Sequence, residues 1–186
     1  IRLSLVGSEM CIRDRLNCDE FINADEIARG LSPLNPEKAS IEAGRLMLKK
    51  INKLIDQGKD FAFETTLSSV TFKNTIQKAK SLGYETTLLF FWLNSVDLAH
   101  KRVEIRVLEG GHNVQKQVIT RRYYSGIRNL FKKYIPVCDY WMIFDNSQKS
   151  TSELIAEGIA NGVPRIENFY TFDLLKSLIE YGREER

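Results

Sequence analysis

The chain has 186 residues and a net charge of +3, with 43% hydrophobic and 27% charged residues. This length suits one domain with a sizeable core, and the composition is typical of a globular protein. No apolar run reaches the ~18 residues that a membrane span needs, so we expect no membrane partner. Three cysteines without paired spacing argue against a disulfide framework or a zinc site and favour a cytoplasmic location. The mild positive charge fits anionic small molecules better than nucleic acid.

Apolar runs alternate with amphipathic segments along the chain. Short apolar runs predict strands at residues 21–25, 61–67, 85–93 and 140–147. A helix is predicted to start at Pro36, behind an Asn35 cap, and to stop at Gly58. Apolar residues at helical spacing predict further helices at residues 71–82, 96–108, 117–134, 153–160 and 171–181.

Nearly continuous apolar strands separated by helices predict an α/β fold, with a parallel sheet covered by helices on both faces. Ligands of such sheets bind beyond the carboxyl ends of the strands. The polar residues that follow the predicted strands are therefore the first candidates for a site: Asp25, Glu64, Thr65, Thr66, Asn94, Ser95, Asp145, Asn146 and Ser147.

Five segments carry a resemblance to a known family. They are INADEIARGL, FETTLSS, EGGHNV, RRYY and FDNS, and they occur in this order from about residue 23 to residue 147. Together they resemble the zeta-toxin-like P-loop kinases, a branch of the nucleoside-monophosphate-kinase fold. The resemblance implies ATP and Mg²⁺ as cofactors, and transfer of the γ-phosphoryl group to a small-molecule hydroxyl. In true zeta toxins the acceptor is UDP-N-acetylglucosamine, and an antitoxin protein is an expected partner.

The resemblance assigns roles to the residues at the first two strand exits. Asp25 is the expected general base for the acceptor hydroxyl, and the alternative is that it caps a short helix. Glu64 is expected to orient the acceptor or the metal, and the alternative is a buried structural hydrogen bond. Thr65 and Thr66 are expected to bind the acceptor through their hydroxyl groups.

Arginines between residues 96 and 130 indicate a lid that closes over ATP. Arg106 and Arg122 are expected to stabilise the transferring phosphoryl group, because guanidinium groups match phosphate geometry. Arg102 and Arg121 are expected to bind the ATP phosphates, and the alternative for all four is a solvated basic face. The remaining two candidates are His112, which is expected to position the substrate, and Asn146, which is expected to contact adenine; both could instead be turn residues.

A P-loop kinase requires the motif G-x-x-x-x-G-K-[ST] after its first strand, because backbone amides and a lysine hold the ATP phosphates. The 186 residues contain no such motif. Residues 5–14, LVGSEMCIRD, are instead identical to the amino-acid sequence that a common transposase-based sequencing adapter encodes when it is translated. We interpret residues 1–15 as a library-construction scar and residues 16–186 as a truncated P-loop kinase-like domain. The alternation of Ile1, Leu3 and Leu5 is nevertheless sufficient to imitate the missing first strand.

A second hypothesis comes from the basic helix at residues 117–134. Its cations and interleaved aromatic residues also fit a non-catalytic module that binds nucleotides or nucleic acid. The aromatic residues argue against it in part, because Tyr123 and Tyr134 belong to the predicted apolar stripe with Ile119, Ile127 and Leu130.

The interpretation of residues 1–15 makes a prediction about the source locus. Sequencing of uninterrupted genomic DNA upstream of Leu16 should reveal codons for a glycine-rich turn that ends in lysine and serine or threonine. Finding the codons for residues 5–14 in that DNA would show that this N-terminus is natural.

Overall fold

A computed structural model describes residues 2–5, 19–108, 114–148 and 151–181 of the chain. The strands are β1 (Arg2–Leu5), β2 (Phe21–Ile22), β3 (Ala62–Glu64), β4 (Thr87–Trp92), β5 (Tyr140–Asp145), β6 (Glu153–Ile159) and β7 (Arg165–Ile166). The α-helices are α1 (Ala24–Leu31), α2 (Ser40–Asp56), α3 (Thr71–Ser81), α4 (Val96–Leu108), α5 (Lys116–Asn129) and α6 (Phe169–Ser177). A 3₁₀ turn (Pro36–Ala39) precedes α2, and a π-helical turn (Leu130–Tyr134) continues α5.

The seven strands form one sheet in the order β2-β3-β1-β4-β5-β6-β7. The first five strands of this order are parallel to one another. Strand β6 pairs antiparallel with β5, and β7 pairs antiparallel with β6. The predicted α/β fold class is confirmed. Strand β1 occupies the central position between β3 and β4. None of the helices in the described parts of the chain is long and apolar enough to cross a membrane.

Strand β4 is buried on both faces of the sheet. Leu88, Phe90 and Trp92 belong to the main core, which also contains residues of α2, α3, α5 and α6. Leu89 and Phe91 alternate with them and pack in a second cluster with Ala62 and Phe144. This alternation follows from the two-residue period of a strand. It explains why β4 is the most continuous apolar run of the sequence.

A polar cluster holds the amino ends of β4 and β5 together. The Asp139 carboxylate accepts hydrogen bonds from both the backbone N–H and the hydroxyl of the fully buried Thr86, each at 2.8 Å. Lys80 lies 2.7 Å from the other carboxylate oxygen. Burial opposes the charge of Asp139, but these bonds outweigh it and lower the pKa of this carboxyl group. The cluster fixes the start of the strands whose far ends line the candidate site.

The segment between β3 and α3 is clamped by α5 and its π-helical turn. Asn129 donates a hydrogen bond to the Leu67 carbonyl at 2.7 Å, and the buried Tyr134 hydroxyl donates to the Ser69 carbonyl at 2.6 Å. Leu67 is fully buried with φ of +50°, a conformation that costs about 1–3 kcal/mol in a non-glycine residue. Gly126 allows the close approach of the two segments, because a Cβ atom there would lie 2.9 Å from the Thr66 carbonyl oxygen.

Three local predictions and one alternative interpretation were wrong. Residues 153–160 form strand β6 rather than a helix, because their backbone completes an antiparallel ladder with β5. Gly158 fits this strand, since a Cβ atom there would lie 2.7 Å from the Trp141 ring. Asn35 makes no capping bond, and Pro36 starts a 3₁₀ turn rather than α2. Strand β2 stops at Ile22, and the residue that caps α1 is Asn23, so the capping alternative for Asp25 is also wrong.

The Asp139 cluster predicts a pH-dependent contribution to stability. Asp139→Asn should lower the free energy of unfolding by about 1–2 kcal/mol at pH 7, because it weakens charge-assisted hydrogen bonds. A carboxylate with a lowered pKa stabilises the fold above its unfolded pKa of about 4, and this stabilisation is lost as pH falls through the lower folded pKa. The difference from the unsubstituted protein in urea denaturation should therefore shrink on acidification below about pH 4. Asp173→Asn, at an exposed carboxylate of α6, is the control. An equal loss of unfolding free energy from Asp173→Asn would contradict the stabilising role of the Asp139 bonds.

The clamp on the β3–α3 segment predicts opposite effects at two helical glycines. Gly126→Ala should destabilise the protein by about 1–3 kcal/mol, because the new methyl group meets a backbone carbonyl that cannot rotate away. Gly44→Ala in α2 has open space around its Cβ position and should stabilise by up to about 1 kcal/mol through the higher helix propensity of alanine. Both values can be read from denaturant unfolding. If Gly126→Ala leaves the free energy of unfolding unchanged, α5 does not pack closely against this segment.

Candidate active site

Two carboxylates lie at neighbouring strand exits. β2 and β3 pair in parallel with Ile22 opposite Phe63, so the residues that follow, Asn23 and Glu64, lie side by side. The Asn23 side-chain amide donates a hydrogen bond to a Glu64 carboxylate oxygen at 2.8 Å. Asp25 stands in the first turn of α1, directly after the Asn23 cap. The parallel register therefore brings Asp25 and Glu64 to one edge of the sheet.

Helix α4 contributes a cation to this edge. The Arg106 guanidinium lies 3.5 Å from the Asp25 carboxylate, and both side chains are nearly half exposed. The Nε atom of Arg106 is buried and has no hydrogen-bond partner among the residues that the structure describes. A guanidinium group that pairs with one carboxylate and has a further N–H donor without a partner is suited to bind a second anion.

A cavity of about 250 Å³ lies beneath α4 and α5. Its cationic lining residues are Arg102, Arg106 and Arg122, and Thr66 lies on the β3 side. Phe90, Phe91, Trp92 and other apolar residues form most of the remaining wall. An apolar wall lowers the local dielectric constant and strengthens the attraction of the guanidinium groups for phosphate.

Arg102 connects the cavity to the exit of β5. It donates hydrogen bonds to the Asn146 carbonyl and, at 3.3 Å, to the Gln148 carbonyl. Burial lowers the pKa of Arg102, and the charge of Asp145 partly offsets this effect. Asn146 is buried, and its side-chain oxygen accepts a hydrogen bond from the Ser152 hydroxyl at 2.9 Å. The sequence predicts that Asn146 contacts adenine, but its side-chain oxygen and its carbonyl both accept hydrogen bonds within the protein.

Tyr123 fixes one wall of the cavity. Its hydroxyl accepts a hydrogen bond from the Trp92 indole at 3.0 Å and donates one to the Leu93 carbonyl at 2.8 Å. Burial raises the pKa of Tyr123 to about 12, although the bond from Trp92 acts in the opposite direction. The phenol is therefore neutral at physiological pH, and it anchors α5 to the exit of β4.

The two arginines that begin the RRYY segment face different sides of α5. Arg122 lines the cavity with Arg102 and Arg106, whereas Arg121 lines a separate groove with Lys116, Tyr124 and Arg128. Arg102 and Arg121 were both predicted to bind the ATP phosphates, but the two side chains line different pockets. His112 lies outside the described residues.

The threonines after β3 have different surroundings. The Thr65 hydroxyl accepts a hydrogen bond from the Leu67 N–H at 3.3 Å, which supports the turn. The Thr66 hydroxyl is 2.8 Å from the Ser68 hydroxyl, and Thr66 is the one of the two that lines the cavity. The geometry thus connects Thr66, more than Thr65, with a bound ligand.

Several site residues were missed by the sequence reading. Asn23 was placed inside a strand, although Asn followed two residues later by Asp at the start of a helix is a typical capping pattern. His100 and Glu104 of α4 contact Thr120 and Lys116 of α5 at 3.1 and 3.0 Å and so join the two arginine-bearing helices. No local sequence pattern predicts these contacts, because they depend on how α4 and α5 pack.

The donor set at this edge bears on magnesium. Within residues 2–5, 19–108, 114–148 and 151–181, no three His, Cys, Asp or Glu side chains are grouped as a metal site. Mg²⁺ in phosphoryl-transfer enzymes is usually held by one or two carboxylates together with substrate phosphates. Glu64 and Asp25 satisfy that smaller requirement.

Comparisons with known proteins identify the family and the fold. The family model described as zeta toxin matches residues 19–163. Over 102 residues the chain is 32% identical to an uncharacterized protein of Haemophilus influenzae. The aligned region covers 55% of this chain and 73% of that protein.

Two solved structures share the fold at low sequence identity. One comes from the PezAT chromosomal toxin–antitoxin system of Streptococcus pneumoniae, with a TM-score of 0.58, 14% identity, and coverage of 96% of this chain and 84% of that one. The other is the AvrRxo1-ORF1:-ORF2 complex with ATP, with a TM-score of 0.63, 15% identity, and coverage of 95% of this chain and 63% of that one. Since the family model covers most of the residues, this chain belongs to the zeta toxin family.

Proposed function

We propose that this protein is an ATP-dependent phosphotransferase that moves the γ-phosphoryl group of ATP to a hydroxyl group of a small molecule. The observation that supports it most is the convergence of Asp25, Glu64 and Arg106 at the carboxyl edge of a parallel sheet. Members of the zeta toxin family are kinases, and one structural neighbour was solved with ATP.

We propose one role for each residue, taken from the family resemblance and compatible with its position. Asp25 accepts the proton of the attacking hydroxyl group, since it lies at the site edge and is nearly half exposed. Glu64 orients the acceptor or the metal. Arg106 and Arg122 stabilise the charge on the transferring group, and Arg102 contributes to the positive field of the cavity.

The Asp25–Arg106 ion pair is compatible with these roles. A pair at 3.5 Å between half-exposed side chains contributes at most about 1 kcal/mol. A triphosphate carries more charge than one carboxylate, so it can draw Arg106 away and leave Asp25 available as a base. Mg²⁺, when bound with the nucleotide, neutralises charge on the phosphates, and Glu64 is the residue that would hold it.

We propose UDP-N-acetylglucosamine as the first acceptor to test, and an antitoxin protein as a partner. The acceptor follows from the family resemblance. The partner is supported by the toxin–antitoxin system from which one structural neighbour comes.

We also propose that the chain as written has little activity. The described residues supply guanidinium groups for phosphate, but the sequence contains no G-x-x-x-x-G-K-[ST] turn. Backbone amides and the lysine of that turn normally hold the β- and γ-phosphates. The arginines of the cavity would supply part of the charge that holds ATP, and the motif that would supply the rest does not occur in the 186 residues.

The nucleic-acid alternative has less support in the geometry. On the helix that motivated it, Tyr134 is buried, while Tyr123 and Phe131 pack against the core. Arg128 donates to the carbonyl groups of Ile179 and Tyr181 near the end of the chain. The side chains needed for base stacking and phosphate contact are thus largely used within the fold.

The different positions of Arg121 and Arg122 provide a matched test. The full chain that the genomic locus encodes is expressed, and ATP-dependent phosphorylation of UDP-N-acetylglucosamine is followed by mass spectrometry. Arg122→Ala should reduce kcat by about 100-fold or more, as expected for removal of a donor to the transition-state charge. Arg121→Ala should change it by less than about threefold, because this side chain lines another groove.

Two outcomes would contradict the proposal. Equal losses from the two substitutions would mean that the cavity is not the phosphate site. Rapid ATP turnover by the 186-residue chain as written would show that its activity does not need the missing glycine-rich turn.

A further inference from the structure

The Asn23 side chain bonds to both carboxylate-bearing elements of the site. Its oxygen accepts a hydrogen bond from the Asp25 backbone N–H at 2.7 Å. Its amide donates to the Glu64 carboxylate at 2.8 Å. These two contacts join the start of α1 to the end of β3, which lie 41 residues apart in the chain.

We propose that Asn23 is a positioning residue that sets the relative placement of the base Asp25 and the orienting group Glu64. This inference rests on the phosphoryl-transfer function proposed above. Asn23 touches neither the nucleotide nor the acceptor in this account, and it acts through the two carboxylates.

The first contact fixes the direction in which α1 leaves the sheet. Asn23 has extended backbone geometry, with φ of −129° and ψ of 126°, as a capping residue should. The cap satisfies the N–H of Asp25, which belongs to the first helical turn. The position of the Asp25 side chain is therefore defined by the same bond that starts the helix.

The second contact restrains Glu64 at the end of a short strand. β3 has three residues, and Glu64 is its last one, so the ladder itself restrains this residue less than an interior position. A charge-assisted bond from an amide to a carboxylate is stronger than a neutral one. It favours the orientation of Glu64 that the observed structure contains.

Asparagine is suited to both tasks. Its amide group carries an acceptor oxygen and a donor nitrogen on one rigid plane. Aspartate caps helices equally well but cannot donate a hydrogen bond when ionised. Asn23→Asp therefore keeps the cap, removes the bond to Glu64 and places a like charge beside it.

The test compares Asn23→Asp with Asn168→Asp. Asn168 caps α6 by accepting a hydrogen bond from the Thr171 N–H at 3.0 Å, so the same substitution there changes a cap away from the site. Both variants are made in the full chain that the genomic locus encodes. Thermal unfolding, NMR order of the Glu64 side chain and steady-state kinetics with ATP and UDP-N-acetylglucosamine are measured.

Asn23→Asp should shift Tm by less than about 4 °C, because the cap survives. The Glu64 side chain should lose order, and kcat should fall by about 10- to 100-fold, since small misplacements of catalytic groups have large effects. KM for ATP should stay within about twofold, because Asn23 does not contact the nucleotide. Asn168→Asp should leave Glu64 and the kinetics unchanged.

The outcomes separate this inference from the proposed function. If the unsubstituted protein transfers no phosphoryl group to any hydroxyl acceptor, the proposed function is wrong and the role of Asn23 falls with it. If that protein is active and Asn23→Asp is equally active, or if Glu64 keeps its order in the variant, only the positioning role is wrong.

Discussion

The hydrogen bonds from α5 and its π-helical turn to the segment after β3 are the constraint on which the site depends. Asn129 and Tyr134 hold this segment through the carbonyl groups of Leu67 and Ser69, in spite of the unfavourable φ angle of Leu67. The same helix carries Arg122 into the cavity and anchors to β4 through Tyr123. One helix thereby determines the distance between the Glu64 end of β3 and the Arg122 guanidinium group.

Charge at the site is arranged in two layers. Asp25 and Glu64 lie at the sheet edge, held by Asn23, while the guanidinium groups come from helices α4 and α5 above it. The ion pair of Asp25 with Arg106 joins these layers. Because this pair is half exposed and therefore weak, an incoming polyanion can replace the carboxylate without a large cost in folding energy. An arrangement of this kind keeps opposite charges close and still available for a substrate.

The sequence predicts the features that depend on local chemistry. The apolar stripe of α5, the helix stop at Gly58 and the polar strand exits are all found in the structure. Strand β6 was missed because its apolar residues are also compatible with a helical period, and its pairing with β5 is non-local. The separation of Arg121 from Arg122 was also missed. Adjacent residues on a helix point about 100° apart, but the sequence does not say which flank of the stripe faces β4.

The central claim is that a nucleotide phosphate binds between Arg106 and Arg122. It can be tested by ¹⁵N NMR of the arginine Nε–H groups during titration of ATP with Mg²⁺ into the protein. The account predicts that the Nε signals of Arg106 and Arg122 shift together with saturation, and that the signal of Arg121 stays in place. A saturable shift of Arg121 without movement of Arg106 or Arg122 would contradict it and would place the phosphate in the groove on the other side of α5.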